Sequence, residues 1–274
     1  MGNLDKIAVM DIETVIDPND VEEGYDYSKF AAPLKHEIIS LALIDITRHS
    51  ESFEVKKICH AKGPERDICA RFARFMDMSS PQIVTANGRT FDLPVIINRS
   101  FKHGVPQKCL FESKKRNKWE NYTHRYSESF HCDVMDGLTN FGAGKPAKLG
   151  VTAASIGLPG KIGVDGSDVA GMYAAGKIDE IADYCELDVM NTYGVYLRYM
   201  FVTAQISLEF YHKSVDNFFE YIIKYSEEKR HFREFLHHTN LAKFRLDETS
   251  VEDKFVSHTP RSIIYQKNLN GEIV

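Results

Sequence analysis

A pair of acids that closes the first apolar run constrains the fold of this chain more than any other sequence feature. The run KIAVM (6–10) is typical of a buried strand, and it continues directly into Asp11 and Glu13. Residues two apart in a strand point to the same face, so a strand that continues this far directs both carboxylates to one side. Because a buried unpaired carboxylate is costly and two neighbouring ones repel, the role of this pair depends on the groups that the fold places opposite it.

Two later stretches supply candidates for the groups opposite this pair. In TANGRTFDLPVI, Asp92 lies between the end of an apolar strand and the start of a helix. In DYCELDVMNTY, Tyr184 and Asp188 are four apart, which places both side chains on one face of a helix. Each feature alone has an ordinary interpretation, as a helix N-terminal acid or as surface residues. The order DxE, FD and YxxxD along the chain is more specific than any one of them.

The pattern of apolar residues predicts an α/β fold with a mixed sheet. Two of the expected strands, 36–46 and 51–61, are joined by the short polar TRHS, which predicts a hairpin. The expected strands are 5–11, 36–46, 51–61, 81–87 and the start of SFHCDVMDGL. The expected helices are the amphipathic stretch GPERDICARFARFMDMSS, 92–104, KLGVTAASIGLPGK and everything from 176 onward, with an irregular stretch between 102 and about 130. Three strands followed by alternating helix and strand indicate this fold class.

The C-terminal part of the sequence is also predicted to be helical. Residues 201–274 are expected to be a helical C-terminal extension of a domain that spans 1–200, and the sequence leaves its independence open. Val215, Phe218 and Ile222 mark an amphipathic helix, which is expected to continue through KYSEEKRHFREF (224–235).

Composition excludes several classes of protein. The net charge of −5 argues against a binder that relies on overall positive charge. Five scattered cysteines without a CxxC pair indicate neither a zinc knuckle nor a disulfide framework, which is typical of a reduced, intracellular protein. No apolar stretch reaches the roughly 18–20 residues that cross a bilayer, so we expect a cytoplasmic protein without a membrane partner.

Three motifs together resemble a known enzyme superfamily. DIE (11–13), NGRTFD (87–92) and YCELD (184–188) resemble the tyrosine-bearing branch of the DEDD exonucleases. The stretch 148–198 is similar to the predicted 3′-5′ exonucleases related to the proofreading domains of family B DNA polymerases. The resemblance implies a ribonuclease-H-like fold, with a five-stranded mixed sheet flanked by helices, over about residues 5–200.

The resemblance also implies a set of site residues. Two divalent ions, Mg²⁺ or Mn²⁺, are expected, because such hard cations prefer the oxygen ligands that the site offers. Asp11, Glu13 and Asp188 would hold the ion that activates water, and Asp11 with Asp92 the second. Tyr184 would orient the attacking water, since a phenol with a pKa near about 10 is a poor base at neutral pH. Candidates for contacting the terminal nucleotides are Thr14, Asn87 and Phe91.

A basic stretch is a further candidate for the substrate site. Residues 102–126 carry seven basic and two acidic side chains, interleaved with Trp119, Tyr122 and Tyr126. Basic groups follow phosphates and aromatic rings stack on bases, which makes this composition typical of single-strand binding. The members singled out are Lys114, Lys115, Arg116 and Trp119. The alternative is a solvated basic loop.

These observations predict a 3′-5′ exonuclease that hydrolyses the 3′ end of DNA, in single-stranded form. One alternative is an RNA 3′ exonuclease. Another is a nucleic-acid-binding protein with a relic nuclease site, although the complete set of acids argues against it. FGAGKPAK lacks the G-x₄-G-K-[ST] pattern of a phosphate loop, and Asp17 is expected to be dispensable.

Overall fold

A computed structural model describes residues 5–27, 31–163 and 166–246, which form a five-stranded mixed sheet flanked by helices. The predicted fold class is therefore confirmed. The strand order is β3-β2-β1-β4-β5; the pairs β3–β2 and β2–β1 are antiparallel, and the pairs β1–β4 and β4–β5 are parallel. The strands are β1 (Lys6–Ile16), β2 (His36–Arg48), β3 (Phe53–Lys62), β4 (Gln82–Thr85) and β5 (His131–Asp133).

Helices cover both faces of the sheet. One face packs against α1 (Glu65–Ser79), α2 (Asp92–His103) and α3 (Lys108–Arg116). The other packs against α4 (Val134–Leu138), α5 (Leu149–Ser155), α7 (Ile178–Val202), α8 (Leu208–Tyr225), α9 (Arg230–His238) and α10 (Leu241–Arg245). Between them, α6 (Val169–Ala174) packs against β1 and α7. None of the helices in the described ranges combines the length and apolar composition of a membrane span.

The central strand β1 carries its alternation into the acidic pair. Ile7 and Val9 face the α7 layer, whereas Met10 and Ile12 face the α1 and α2 layer. Asp11 and Glu13 continue the α7-facing series. The sequence predicted an end at residue 11, but the strand continues to Ile16, because residues 11–16 pair with β2, with a register shift between Glu13 and Thr14. The predicted first strand was therefore too short.

Two further expectations about elements were wrong. A helix, α3, forms inside the stretch expected to be irregular, because Leu110 is buried in the α1 and α2 layer. The helix expected to run through residue 235 breaks after Tyr225, and α9 begins at Arg230. At the break, Lys229 has extended backbone (φ −117°, ψ 103°) and its ammonium contacts the buried Glu186 carboxylate.

The C-terminal helices belong to the packing of the sheet. Phe218, Phe235 and Phe244 are buried in the same apolar cluster as Val9 and Ile44. Backbone groups of β3 also contact α8: Phe53 N–H donates to the Ser214 hydroxyl at 2.9 Å, and Ile58 N–H donates to the Tyr221 hydroxyl at 3.0 Å.

A buried ion network joins β1, α1 and α2. The Arg99 guanidinium donates to both carboxylate oxygens of Glu65 at 2.7 Å and to Asp17 at 2.7 Å. Asp17 also accepts from Lys102 at 2.7 Å, and Glu65 accepts from the Ile38 N–H at 2.7 Å. Asp17 therefore has a structural role that the sequence did not predict.

Candidate active site

The acidic pair lies on β1 just beyond the point where its parallel neighbour β4 ends, since the last β1–β4 pair is Val9 with Val84. These strands are parallel neighbours, so their carboxyl ends meet at one edge. Asp92 begins α2 a few residues after β4, and its Oδ1 accepts a hydrogen bond from the Ile12 N–H at 3.2 Å. That bond fixes Asp92 between the positions of Asp11 and Glu13 along β1.

Helix α7 supplies the groups opposite this edge. Its buried Tyr184 is hydrogen-bonded to Asp188, one turn further along the helix. Between them, the buried Cys185 thiol contacts the Asp11 backbone oxygen at 3.5 Å and its Oδ2 at 3.6 Å. Sequence reasoning missed Cys185, although it follows Tyr184 directly and shares a helix face with Asp188.

The carboxylates raise one another's pKa values. Burial raises the pKa of Asp11 well above its ordinary value, and the charges of Asp92, Glu13 and Asp188 add to it. Burial likewise raises the pKa of Glu13, with contributions from Asp188 and Asp92. For Asp92, burial and the charges of Asp133 and Asp188 raise the pKa to about 7. Without cations, these groups cannot all be ionised at neutral pH.

The donor set fits hard divalent cations. Ligand atoms of Asp11, Glu13 and Cys185 lie within 4.8 Å of one another. Burial and nearby carboxylates raise the pKa of the Cys185 thiol, which keeps it protonated and leaves oxygen atoms as the ionised donors. Carboxylate oxygens are the ligands that Mg²⁺ and Mn²⁺ prefer. A bound cation would relieve the repulsion that raises these pKa values.

Asp133 organises the loop that precedes Asp92. Its carboxylate accepts hydrogen bonds from the backbone N–H groups of Asn87 and Arg89, both at 2.9 Å, and it caps α4. The exposed Asn87 has a left-handed backbone (φ 69°) and accepts from the Thr90 hydroxyl at 2.7 Å. Asp133 thus shapes the NGRTFD loop from a strand 46 residues away in sequence.

Two residues expected to contact the substrate, Thr14 and Phe91, both contact His36, which the sequence did not single out. The Thr14 hydroxyl is 3.0 Å from His36 Nδ1, and the Phe91 ring packs edge-to-face on the His36 ring with centroids 4.9 Å apart. Burial lowers the pKa of His36, which favours the neutral ring. His36 begins β2 and pairs with Ile16, so the extension of β1 brings it to the site.

One of the basic candidates, Lys115, lies elsewhere. Lys115 lines a groove with Phe101 and Val105, at the end of α2 opposite to Asp92, so it is not brought to the carboxylates. The side chains of Lys114 and Arg116 lie outside the described residues. Trp119 is 65% exposed, and its ring contacts His124 at a centroid distance of 5.8 Å.

The fold and this edge define a ribonuclease-H-like protein with a cluster of carboxylates at the ends of its central strands. A family model described as "Predicted 3′-5′ exonuclease related to the exonuclease domain of PolB" matches residues 28–239, and the chain belongs to this family. The match includes Asp92, Tyr184 and Asp188, whereas Asp11 and Glu13 precede it.

Solved structures agree on the fold. The chain is similar to the family B DNA polymerase from the hyperthermophilic archaeon Pyrobaculum calidifontis, with 17% sequence identity and a TM-score of 0.51. The similarity covers 82% of this chain and 29% of the polymerase. No curated protein matches the chain.

Proposed function

We propose that the protein is a metal-dependent 3′-5′ exonuclease that removes nucleotides from single-stranded DNA. The observation that carries this proposal is the meeting of three distant segments at one sheet edge. Asp11 and Glu13 on β1, Asp92 on α2 and Asp188 on α7 raise one another's pKa values or share hydrogen bonds there. Membership in a family of predicted 3′-5′ exonucleases supports the same chemistry.

The carboxylates and Tyr184 have different roles in the proposed hydrolysis. Asp11, Glu13, Asp92 and Asp188 would hold two divalent cations, which supply an activated water and a charge sink for the leaving oxygen. Burial and the charges of Asp188 and Glu13 raise the pKa of Tyr184 above its usual range. Its hydroxyl therefore stays protonated and serves to orient water rather than to remove a proton.

The terminal nucleotides have a defined set of candidate contacts. Phe91 offers an aromatic ring next to Asp92, and the His36 ring beneath it limits its movement. Asn87 lies in the loop that leads to Asp92, and Thr14 follows Glu13 on β1, so both offer polar groups close to the carboxylates in sequence. We propose that these three residues contact the 3′-terminal base and sugar, with His36 holding Phe91 and Thr14 in place.

The test uses oligonucleotides labelled at the 3′ or the 5′ end, as single-stranded DNA, duplex DNA and RNA, with Mg²⁺, Mn²⁺ or EDTA. We expect stepwise shortening from the 3′ end of the DNA strand, with activity lost in EDTA. Asp11→Ala and Asp188→Asn should each lower the rate by at least about 10³-fold. Glu180→Gln is the matched control, because Glu180 is an exposed acid on the same helix, paired only to Lys177 among the described residues.

The possible outcomes separate the alternatives. Faster shortening of RNA than of DNA would assign the substrate to RNA. Folded wild-type protein that binds oligonucleotides but hydrolyses none with either metal would identify a relic site. Unchanged hydrolysis by Asp11→Ala and Asp188→Asn would show that the activity does not use this cluster.

A further inference from the structure

Four aromatic rings form a continuous row outside the carboxylate cluster. The Trp119 ring contacts His124 at 5.8 Å, His124 contacts Tyr126 at 6.2 Å, and Tyr126 contacts Phe141 at 5.3 Å, all edge-to-face. Trp119 and Tyr126 are 65% and 63% exposed. We call these four residues the aromatic ladder. Large exposed aromatic residues in a row are unusual on a free surface and mark binding sites.

The backbone at one end of the ladder is held in a costly conformation. Asn140, Phe141 and Gly142 all have left-handed backbones, with φ of 52°, 55° and 88°. A bulky residue rarely adopts such a φ, and strain of this kind concentrates at ligand clamps. Here the strained turn points the Phe141 ring at Tyr126. The turn belongs to FGAGKPAK, the stretch that resembles a phosphate loop without meeting its pattern.

Arg89 connects the ladder to the NGRTFD loop (87–92). The Arg89 guanidinium donates to the His124 backbone oxygen at 2.7 Å and to that of His131. The backbone N–H of the same residue donates to Asp133, next to Asp92. Arg89 therefore links the ladder to the loop that begins α2. A strand whose 3′ end lies at the carboxylates would have a path along the ladder.

Charge along the ladder suits a polyanion. The Lys118 ammonium lies over the Trp119 ring, 4.9 Å from its centroid, and Arg125 is half-exposed beside Tyr126. Exposed Lys145 and Lys148 follow Phe141 in sequence. Asp136, an acid close to Arg125, is paired with both Arg89 and Arg125.

We propose that the aromatic ladder binds the unpaired bases of a single-stranded nucleic acid, upstream of the terminal nucleotide that the carboxylates process. Bases stack on such rings without regard to sequence, and they are available only in a single strand. The proposal deepens the proposed function and rests on it for the direction of the strand. It names the substrate class as a strand with several unpaired nucleotides at its 3′ end.

Trp119 is the single tryptophan of the chain, so its fluorescence reports directly on the ladder. The measurement titrates (dT)₈ into the Asp11→Asn variant in EDTA, where no strand is degraded. We expect quenching by (dT)₈ but not by a blunt duplex of equal length or by an abasic strand of eight residues. Equal quenching by the abasic strand would overturn stacking, because that strand keeps the phosphates and lacks the bases.

Variants test the ladder without relying on tryptophan emission. In the Asp11→Asn background, Trp119→Ala with Tyr126→Ala should weaken binding of fluorescein-labelled (dT)₈ by about 10- to 100-fold, measured by anisotropy. Phe101→Ala is the matched control, because Phe101 is 83% exposed at the far end of α2. Its affinity should be unchanged. Equal affinity of the double variant and the control would refute the ladder.

Failure of this inference differs from failure of the proposed function. A wild-type enzyme that shortens DNA while (dT)₈ neither quenches Trp119 nor depends on the two rings for binding would refute the ladder alone. Quenching and ring-dependent binding without hydrolysis under any metal would support the ladder and refute the exonuclease.

Discussion

Among single residues, Tyr184 gives the sharpest test of the proposed chemistry. Burial and the neighbouring carboxylates keep its hydroxyl protonated, and the hydroxyl is hydrogen-bonded to Asp188. Tyr184→Phe removes that hydroxyl and little else. Because loss of orientation slows the reaction without removing a ligand, we expect kcat to fall by about 10²-fold while KM and Mn²⁺ affinity change little. Steady-state kinetics and isothermal titration with Mn²⁺ measure the two effects.

Tyr193 offers a matched control on the same helix. It is also buried, and its hydroxyl has no hydrogen-bond partner among the described residues. Tyr193→Phe should therefore leave kcat unchanged. A Tyr184→Phe enzyme with the wild-type kcat would show that the hydroxyl does not orient the attacking water.

The spacing of residues in the sequence predicts some residues of the candidate site but not others. Short motifs predict the five candidate catalytic residues, because each motif fixes the face or the end of one element. Asp133 was predicted as a strand end and helix start, which the structure confirms, but its contact with the NGRTFD loop and the role of His36 were not predicted, because both are contacts across the fold. Asp133 caps a loop from 46 residues away, and His36 reaches Thr14 across an antiparallel pair. No local pattern in one sequence identifies such a contact.

At the scale of elements, a buried carboxylate attaches the C-terminal helices to α7. Glu186 is fully buried and accepts from His60 on β3 at 2.8 Å, from Lys229 at 2.6 Å and from His231 on α9 at 2.8 Å. Glu186 lies in the same turn of α7 as Tyr184. The cluster thus fixes the helix segment that carries the candidate catalytic pair.

Lys229→Met tests how much this cluster contributes to stability and to catalysis. Removing one partner of a buried ion pair leaves an undercompensated charge, so we expect the free energy of unfolding to fall by about 3 kcal/mol. We expect kcat to fall by about tenfold with KM unchanged, because α7 loses part of its support. Urea unfolding and steady-state kinetics, at a temperature where the variant stays folded, measure both.

Two further variants control this test. Lys224→Met removes an exposed lysine from the last turn of α8 and should change neither quantity. Adding Glu186→Gln to Lys229→Met removes the buried charge and should restore part of the lost stability. Wild-type stability and kcat for Lys229→Met would show that the cluster does not position α7.

Boundaries of elements were the least predictable part of the fold. β1 continues past residue 11 because pairing with β2 outweighs the acidity of Asp11 and Glu13, and that pairing is not visible in the β1 sequence alone. The break between α8 and α9 depends on where Lys229 reaches Glu186, which lies 43 residues earlier. Core-facing positions, by contrast, followed the apolar periodicity.

For the whole molecule, the network around Arg99 predicts a dependence of stability on pH. Burial alone would raise the pKa of Asp17, but hydrogen bonds from Lys102 and Arg99 lower it below the ordinary 3.8. A carboxylate with a lowered pKa stabilises the folded state above its unfolded pKa, and this contribution is lost as the pH falls. Asp17→Asn should therefore cost about 2 kcal/mol at pH 7, measured by urea unfolding.

Urea unfolding of wild type and Asp17→Asn at lower pH tests whether the charge of Asp17 is the cause. The difference between wild type and Asp17→Asn should shrink steadily as the pH falls below 3.8, because Asp17 of the unfolded wild-type chain then takes up a proton, whereas folded Asp17 stays ionised to a lower pH. Asp67→Asn removes an exposed acid from the first turn of α1 and should cost less than about 0.5 kcal/mol. A difference that is constant from pH 7 to pH 2.5 would exclude the charge of Asp17 as its cause.

A truncation that ends at residue 200 tests the predicted division into a domain over 1–200 and an extension over 201–274. Phe218, Phe235 and Phe244 cover the apolar face of the sheet, in one cluster with Val9 and Ile44. Removing them exposes that face and also removes the Lys229 and His231 partners of Glu186. We therefore expect the 1–200 fragment to lose cooperative urea unfolding and to bind the dye ANS.

A truncation that ends at residue 246 is the matched control, because it keeps every described helix. It should unfold in one cooperative transition. Cooperative unfolding and full nuclease activity of the 1–200 fragment would instead establish an independent catalytic domain. The physical reason to expect otherwise is that folding is stabilised mainly by buried apolar area, and three fully buried phenylalanines of the second segment lie on the core of the first.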